Sequence, residues 1–321
     1  MDTMTEASDL AASPSLDVLY DRLAPHSINA GWAKPTPSLW AAPHKNYSPA
    51  MWRWRDGRAA LMAAGRLVNT ELAERRNLIL FNPVEGNTYA TVRTLICAYQ
   101  SVLPGETTRS HRHTPNALRF ILEGEGSYTV VDGQRLEMRP NDVLLTPNWC
   151  WHGHGSEAKG PCFWLDCLDV PLVHMLEPMF FEQHPDTFER IASVPTKSPF
   201  IFPWTDVQAA LDREAPDPQG RYGRRVQLGD PAFATIALFM ERLDGGTRTQ
   251  PVRTTANRIW CVVEGEGTTV IDGERFTWRR GDVIAAPGWR PVEHHIASDA
   301  ALFCMTDEPL LRSLGWLRVE A

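Results

Sequence analysis

Three histidines, His111, His113 and His152, are the residues of this chain whose type and spacing most readily imply chemistry. In a β-strand, residues two apart project to the same face, so His111 and His113 point together while Arg112 points away. His152 follows a Pro147-Asn148-Trp149 turn and comes from a later strand, which is how a barrel sets a third ligand opposite the first two. Three imidazoles form one face of a coordination sphere and leave positions open for substrate and oxygen. Imidazole ligands suit iron, nickel, copper or zinc better than magnesium or calcium. The alternative is three hydrogen-bonded structural histidines.

The elements that would position this triad read as short strands. From Thr91 to about Val170 come alternating runs with turn punctuation, among them TVRTLICAYQSVL, ALRFILEG, SYTVVDGQRLEM and DVLLTPNW. Asp132-Gly133 is a hairpin signature between two of them. Strands this close, without long helices between them, indicate an antiparallel sandwich or barrel. The pattern then returns. HRHTPNALRFILEGEG, from His111, is matched by VRTTANRIWCVVEGEG, from Val252, with both histidines gone. Glu123 aligns with Glu264, Asp132-Gly133 with Asp272-Gly273, and Pro147-x-Trp149 with Pro287-x-Trp289. A repeat this long means two whole domains. The expectation is an all-β-dominated chain of two jelly-roll barrels behind a helical and loop-rich N-terminal arm. The arm spans 1–88, the histidine-bearing barrel 89–175, a linker with helices 176–230, and a second barrel 231–321. Either Val252 and Thr254 or Pro251 and Arg253 take the places of the first two histidines, and Val292 or Glu293 that of His152, so no ligand pair survives there. The adjacent His294 and His295 face opposite ways.

Helical spacing is read at 17–23, in TELAERR at 70–76, in EPMFFEQH at 177–184 and in TDVQAALDRE at 205–214. Between the first two lies a loop-rich stretch with Pro35, Pro37, Pro43 and Pro49 among Trp32, Trp40, Trp52 and Trp54, a density that forbids a long helix there. Those aromatics suggest an arm packed onto another surface.

Composition narrows the function classes. The chain has 321 residues, 43% hydrophobic and 22% charged, with a net charge of -7. No basic face is evident, which argues against nucleic acid as a partner. No apolar run approaches the ~20 residues needed to span a bilayer. The opening segment MDTMTEASDLAASPS is too acidic and polar for a signal peptide, so a cytoplasmic location is expected. Six cysteines without C-x-x-C spacing read as buried hydrophobes in a reducing compartment.

Gly105, His111-x-His113, Pro147 and His152 follow the spacing of the cupin motifs. Many cupins add a glutamate soon after the second histidine, but here Ala117 and Leu118 stand in its place. An all-histidine site keeps the metal's double positive charge and favours an anionic, chelating substrate. More specifically, the chain resembles the gentisate 1,2-dioxygenases and their relatives acting on salicylate, 5-substituted salicylates such as 5-nitrosalicylate, and 1-hydroxy-2-naphthoate. The resemblance runs from Trp52-Arg53-Trp54 through AGRLVNTELAERRNLIL, LPGETTRSHRHTPNALRFILEGEG, TPNWCWHGHG and WLDCLDVPLV into the second barrel.

That resemblance implies a bicupin enzyme with one iron(II) per chain, held by His111, His113 and His152. It would insert both atoms of O2 into a small aromatic acid and split the bond between ring carbons 1 and 2. Gentisate is the first substrate expected, a 5-substituted salicylate the second; the alternatives are another cupin enzyme or a non-catalytic aromatic-acid-binding bicupin. The resemblance also implies Arg119 and Arg75 as contacts of the substrate carboxylate, with a helix-surface charge the alternative for Arg75. It implies Gln100 and Asp166 in the same pocket, and His154 or Asp166 as the acid/base. Ile96, Phe120, Trp149 and Trp151 are expected to form an apolar wall. Three positions bear on the ring's surroundings: Ile96, where relatives often place an aromatic; Ala98, as gentisate enzymes tend to have; and Gly153, where the family usually has Asp. A homo-oligomer, dimer or tetramer, is expected.

Overall fold

The computed structural model describes residues 9–34, 38–69 and 76–320. The chain divides into a leading unit, residues 1–44, and a main unit, residues 45–321. In the leading unit, helix α1 (Leu16–Leu23) starts where the Ser15 hydroxyl accepts from the Val18 N–H, with Asp17 in its first turn and Arg22 in its last. That is the cap and the charge order a helix dipole favours, and it agrees with the helix expected at 17–23.

The main unit is built from two copies of one barrel. In the first, β2 (Arg76–Ile79), β3 (Ile96–Val102), β5 (Ala117–Glu123), β8 (Val143–Thr146), β10 (Cys162–Leu168) and β12 (Ile201–Phe202) make an antiparallel sheet ordered β12-β8-β5-β10-β3-β2. Another sheet holds β4 (His111–His113), β6 (Ser127–Val131), β7 (Gln134–Met138), β9 (His152–Ser156) and β11 (Phe181–Gln183), ordered β11-β4-β9-β6-β7. The second copy repeats the six-stranded order with β1 (Ala50–Trp52), β13 (Arg224–Leu228), β14 (Ala237–Leu243), β16 (Arg258–Glu264), β19 (Val283–Ala286) and β21 (Ala300–Thr306) as β1-β19-β16-β21-β14-β13. Its other strands are β17 (Glu266–Ile271) between β18 (Glu274–Arg279) and β20 (Val292–Ile296), and the pair β15 (Arg253–Thr254) with β22 (Val319–Glu320).

The copies exchange their leading strands. β1 precedes the first barrel but pairs with β19 of the second, and β12 precedes the second barrel but pairs with β8 of the first. Each is followed by a helix opening on tryptophan, α2 (Trp54–Leu67) and α4 (Trp204–Arg213). The Trp54 N–H donates to Asp282 and the Trp204 N–H to Asp142, each at 2.8 Å and each across to the other repeat. A carboxylate thus satisfies an orphan N–H at each helix start.

Several expectations meet a different outcome here. Residues 1–88 were expected as an arm, yet β1 and β2 are built into the two barrels, and the expected linker 176–230 contributes β11, β12 and β13. The loop-rich stretch holds α2, which starts beyond the last proline. EPMFFEQH is not helical: the helix there is α3 (Val170–Leu176), and Phe181–Gln183 is the edge strand β11, paired with the histidine strand β4. The helix expected at 70–76 lies outside the described residues apart from Arg76, which opens β2. The helix at 205–214 is found as α4.

The six-stranded sheets bury both faces, so their strands read as nearly continuous apolar runs. Leu118, Phe120 and Leu122 of β5 join Ile259, Cys261 and Val263 of β16 and Phe303 of β21 in one core between the barrels. Phe120 stacks on Phe303 with centroids 5.2 Å apart. The alternate residues, Ala117, Arg119 and Ile121, point into the first barrel's own interior. All six cysteines are free thiols, five of them buried. No described helix is long and apolar enough to cross a membrane.

Candidate metal centre

Strand pairing sets the triad. His111 lies directly across from His152 in the β4–β9 ladder, and His113 stands two residues along β4 on the same face. Their candidate ligand atoms all lie within 4.8 Å of one another. The ring nitrogens are distinguished by their partners. His113 Nδ1 is 2.8 Å from the Pro115 carbonyl, and His152 Nδ1 is 3.1 Å from the Cys150 carbonyl. A carbonyl only accepts, so Nδ1 carries the proton in both and Nε2 keeps the lone pair a metal needs. The Trp149 N–H donates to the His113 carbonyl at 3.0 Å, tying the turn before His152 to the strand of the other two histidines. Trp149 takes φ 64° there, a left-handed conformation that costs a non-glycine residue of order 1–3 kcal/mol. Three imidazoles converging from paired strands fit a divalent transition metal.

The triad borders a cavity of about 260 Å³. Ile96, Ala98 and Gln100 reach it from β3, Ala117 and Arg119 from β5, and Asp166 and Leu168 from β10. Asn77, Ile79, Val170 and Phe181 complete its rim. Arg119 is 1% exposed; its Nη1 donates to Thr146 Oγ1 at 2.6 Å, and its Nε lies 3.6 Å from Asp166 Oδ1. Gln100 Nε2 donates to Asp166 Oδ2 at 2.5 Å, and Trp164 Nε1 to Oδ1 at 2.8 Å. The cavity therefore joins a metal-binding face to a buried cation, a carboxylate and an amide, between aliphatic walls. Asn77, Ile79 and Phe181 went unnoticed in the sequence because β2 and β11 reach the site only by pairing with β3 and β4. The Phe181 ring sits 5.1 Å from that of His111.

Not every residue read from the sequence comes to this cavity. Arg75 lies outside the described residues. Phe120 faces the inter-barrel core, because it alternates with Arg119 along β5. Trp149 and Trp151 sandwich the Arg112 guanidinium at 4.5 and 4.4 Å on the other side of the strand. Of the expected apolar wall Ile96 does line the cavity, joined there by Ile79, Ala98 and Leu168. His154 and Gly153 border a second cavity of about 260 Å³ with Ser110, Tyr128 and Glu189, whose carboxyl burial pushes up to about 7. The His154 ring lies 5.3 Å from Trp164. Gly153 points away from the triad: a Cβ there would come within 2.7 Å of Ser110 Oγ, so no aspartate fits without displacing that serine. Ile96 and Ala98 line the triad's cavity; Gly153 does not.

The second barrel settles the open alignment. Val252 pairs with Val292 as His111 pairs with His152, and the Trp289 N–H donates to the Thr254 carbonyl as the Trp149 N–H does to that of His113. Val252, Thr254 and Val292 therefore replace the triad. His294 occupies the place of His154: each backbone N–H donates to a threonine hydroxyl, Thr249 and Thr108 respectively. Burial drives the His294 imidazole down to about 3, so it stays neutral, with its Nδ1 2.9 Å from Thr269 Oγ1.

Residues 98–168 match the model of the cupin domain. Over 93% of its length the chain is 32% identical to gentisate 1,2-dioxygenase 1 of Aquipseudomonas alcaligenes, covering 94% of that protein. It is 34% identical to 5-aminosalicylate 1,2-dioxygenase of Comamonas sp., with 95% and 90% of the two chains covered. Among solved structures, salicylate 1,2-dioxygenase from Pseudaminobacter salicylatoxidans superimposes with a TM-score of 0.86 at 27% identity, over 96% of this chain and 97% of that one. With its duplicated barrel and a histidine triad in one copy, this chain belongs to the gentisate 1,2-dioxygenase family of bicupin aromatic ring-cleaving dioxygenases.

Proposed function

We propose that the protein is an iron(II)-dependent dioxygenase that splits the bond between carbons 1 and 2 of a 2-hydroxybenzoate, with gentisate as its substrate. The observation that carries this reading is the shared cavity of the histidine triad and the buried Arg119. Iron(II) on His111, His113 and His152 would supply the Lewis-acid and redox chemistry that couples an electron-rich ring to O2. The remaining work falls to the chain. Arg119 presents a planar fork of N–H donors to the substrate carboxylate and fixes the ring's orientation. Arg75 is proposed as a second carboxylate contact. Asp166, held by Gln100, Trp164 and Arg119, is the proton acceptor for the hydroxyl para to the first; His154, which borders the other cavity, is the alternative acid/base. Ile96, Ala98, Ile79 and Leu168 exclude water from the ring face.

A 5-substituted salicylate is the second reading, favoured by the 34% identity to the Comamonas 5-aminosalicylate enzyme. We further propose that the enzyme works in the cytoplasm as a homo-oligomer. Anaerobic reconstitution with iron(II), followed by oxygen uptake with gentisate, 5-aminosalicylate, salicylate and 1-hydroxy-2-naphthoate, tests the assignment. The expected result is fastest uptake with gentisate, one O2 per ring opened. Absence of uptake with all four acids would refute the activity.

A further inference from the structure

A buried aspartate outside the cavity has an unusual connection to one ligand. Asp169, 1% exposed and just before α3, accepts the backbone N–H of Asn116 on Oδ1 at 2.8 Å and the Asn116 side-chain amide on Oδ2 at 3.1 Å. The Thr235 hydroxyl, supplied by the second barrel, donates to the same Oδ2 and accepts from Asn116 Nδ2. The Asn116 side-chain oxygen in turn accepts the Asn148 N–H at 2.9 Å, in the turn that leads to His152. The Asn116 N–H belongs to the same peptide group as the Pro115 carbonyl, and that carbonyl takes the Nδ1 proton of His113. One rigid plane thus has a carboxylate at one end and a candidate metal ligand at the other.

The second barrel repeats this cluster without its outcome. The Asn257 N–H donates to Asp307 Oδ1 at 2.8 Å, its amide to Oδ2 at 2.7 Å, Thr94 of the first barrel donates to Oδ2 at 2.6 Å, and the Gly288 N–H donates to the Asn257 oxygen at 3.0 Å. The corresponding peptide carbonyl is that of Ala256, and the residue in the place of His113 is Thr254. The cluster is therefore part of the repeated frame, and only in the first barrel does it end on an imidazole.

We propose that Asp169 is a positioning residue for His113, acting through the Pro115–Asn116 peptide, and that Thr235 makes the second barrel a contributor to the metal site. The inference rests on the reading of His113 as a ligand. A peptide N–H bonded to a carboxylate polarises its own carbonyl, and hydrogen bonds in series strengthen one another. A stronger acceptor at Nδ1–H locks the ring plane and makes Nε2 a better donor to a metal, the role that a directly bonded carboxylate plays in many metal sites.

The test uses full-length apo-protein titrated with cobalt(II), read by calorimetry, by the visible spectrum of the bound ion and by thermal unfolding without metal. Asp169→Asn should weaken cobalt binding roughly 10- to 100-fold and change the spectrum. Thr235→Val should move both in the same direction by less, and Thr235→Ser, which keeps the hydroxyl, should restore them. The mirror variants Asp307→Asn and Thr94→Val should lower the apo melting temperature comparably while binding cobalt as the wild type does. Wild-type affinity and spectrum in Thr235→Val, or equal weakening in the mirror variants, would overturn the proposal; the threonine variants decide it if Asp169→Asn fails to fold. If the wild type binds no cobalt, or His113→Ala binds it as tightly, the underlying ligand reading fails as well.

Discussion

The two barrels place the same strands in the same order but fill their interiors differently. By strand register, Ala98, Gln100, Ala117 and Arg119 of the first barrel correspond to Phe239, Glu241, Arg258 and Trp260 of the second. Where the first leaves a cavity beside three histidines, the second is closed by a buried polar cluster. Arg225 stands 3.6 Å over the Phe239 ring and 3.1 Å from Glu241, Trp260 Nε1 donates to Glu241 at 3.2 Å, and Arg258 Nη2 donates to the Val252 carbonyl at 2.9 Å. A barrel interior has to be filled or used, because voids and unpaired buried charges both cost stability. The first copy uses its interior for a site. The second fills it with an ion pair between the neighbouring strands β13 and β14 and keeps the frame.

The contrast can be broken most severely at the ligands. His111→Ala should abolish both metal binding and turnover, read as metal content and oxygen uptake, since two imidazoles leave the coordination face incomplete. Next in size is the seam between the barrels. Phe120→Ala removes half of the stack on Phe303 and should cost about 3–5 kcal/mol of unfolding free energy in a denaturant melt. If the two copies were independent, the loss would appear in the unfolding of one barrel alone.

Arg119→Ala should lower kcat/KM by about 2–5 kcal/mol of transition-state stabilisation, because a substrate carboxylate would then be buried without its partner. The register-equivalent Trp260→Phe should leave kcat/KM of the folded enzyme unchanged. A smaller effect separates the barrels by pH. His294 is held at about 3 in the folded chain against the usual 6.5, so between those values the unfolded chain binds a proton that the folded one does not. This contribution is complete above pH 6.5 and is lost as the pH falls. From pH 6.5 to 4 it amounts to at most about 3 kcal/mol, at 1.36 kcal/mol per unit. His294→Gln should flatten the acid limb of the stability curve by that amount; an unchanged slope would contradict the assignment. The smallest effect expected is none: Val252→His, Thr254→His and Val292→His combined should not create a second metal site, because the Arg258 guanidinium already occupies the position beside residue 252.

Much of the site could be read from sequence: His111 and His113 share a face by strand period two, a third histidine follows a Pro-x-Trp turn, and the family resemblance puts Arg119 in the same pocket. The wall expected of Phe120, Trp149 and Trp151 fails on that same periodicity: Phe120 alternates with the inward Arg119, and the two tryptophans hold Arg112 on the opposite side of the strand. What was hidden depends on distant pairing. Met179-Phe180-Phe181 is an apolar run short enough to suit a helix or an edge strand, and only the β4 ladder decides for the strand. In α2, Gly57 lowers local helix propensity, yet a Cβ there would lie 2.5 Å from the Tyr99 ring, so the glycine answers to packing on β3. The exchanged leaders carried a faint signal, Trp54-x-Asp56 against Trp204-x-Asp206, but nothing local indicates that each strand joins the other barrel.

The most direct test of a single working barrel is the metal stoichiometry of the anaerobically reconstituted protein, measured alongside His152→Ala and Glu293→Ala. One iron per chain is the expected result in the wild type and in Glu293→Ala, and none in His152→Ala. Two irons per chain, or iron retained by His152→Ala and lost from Glu293→Ala, would place the metal in the second barrel and contradict it.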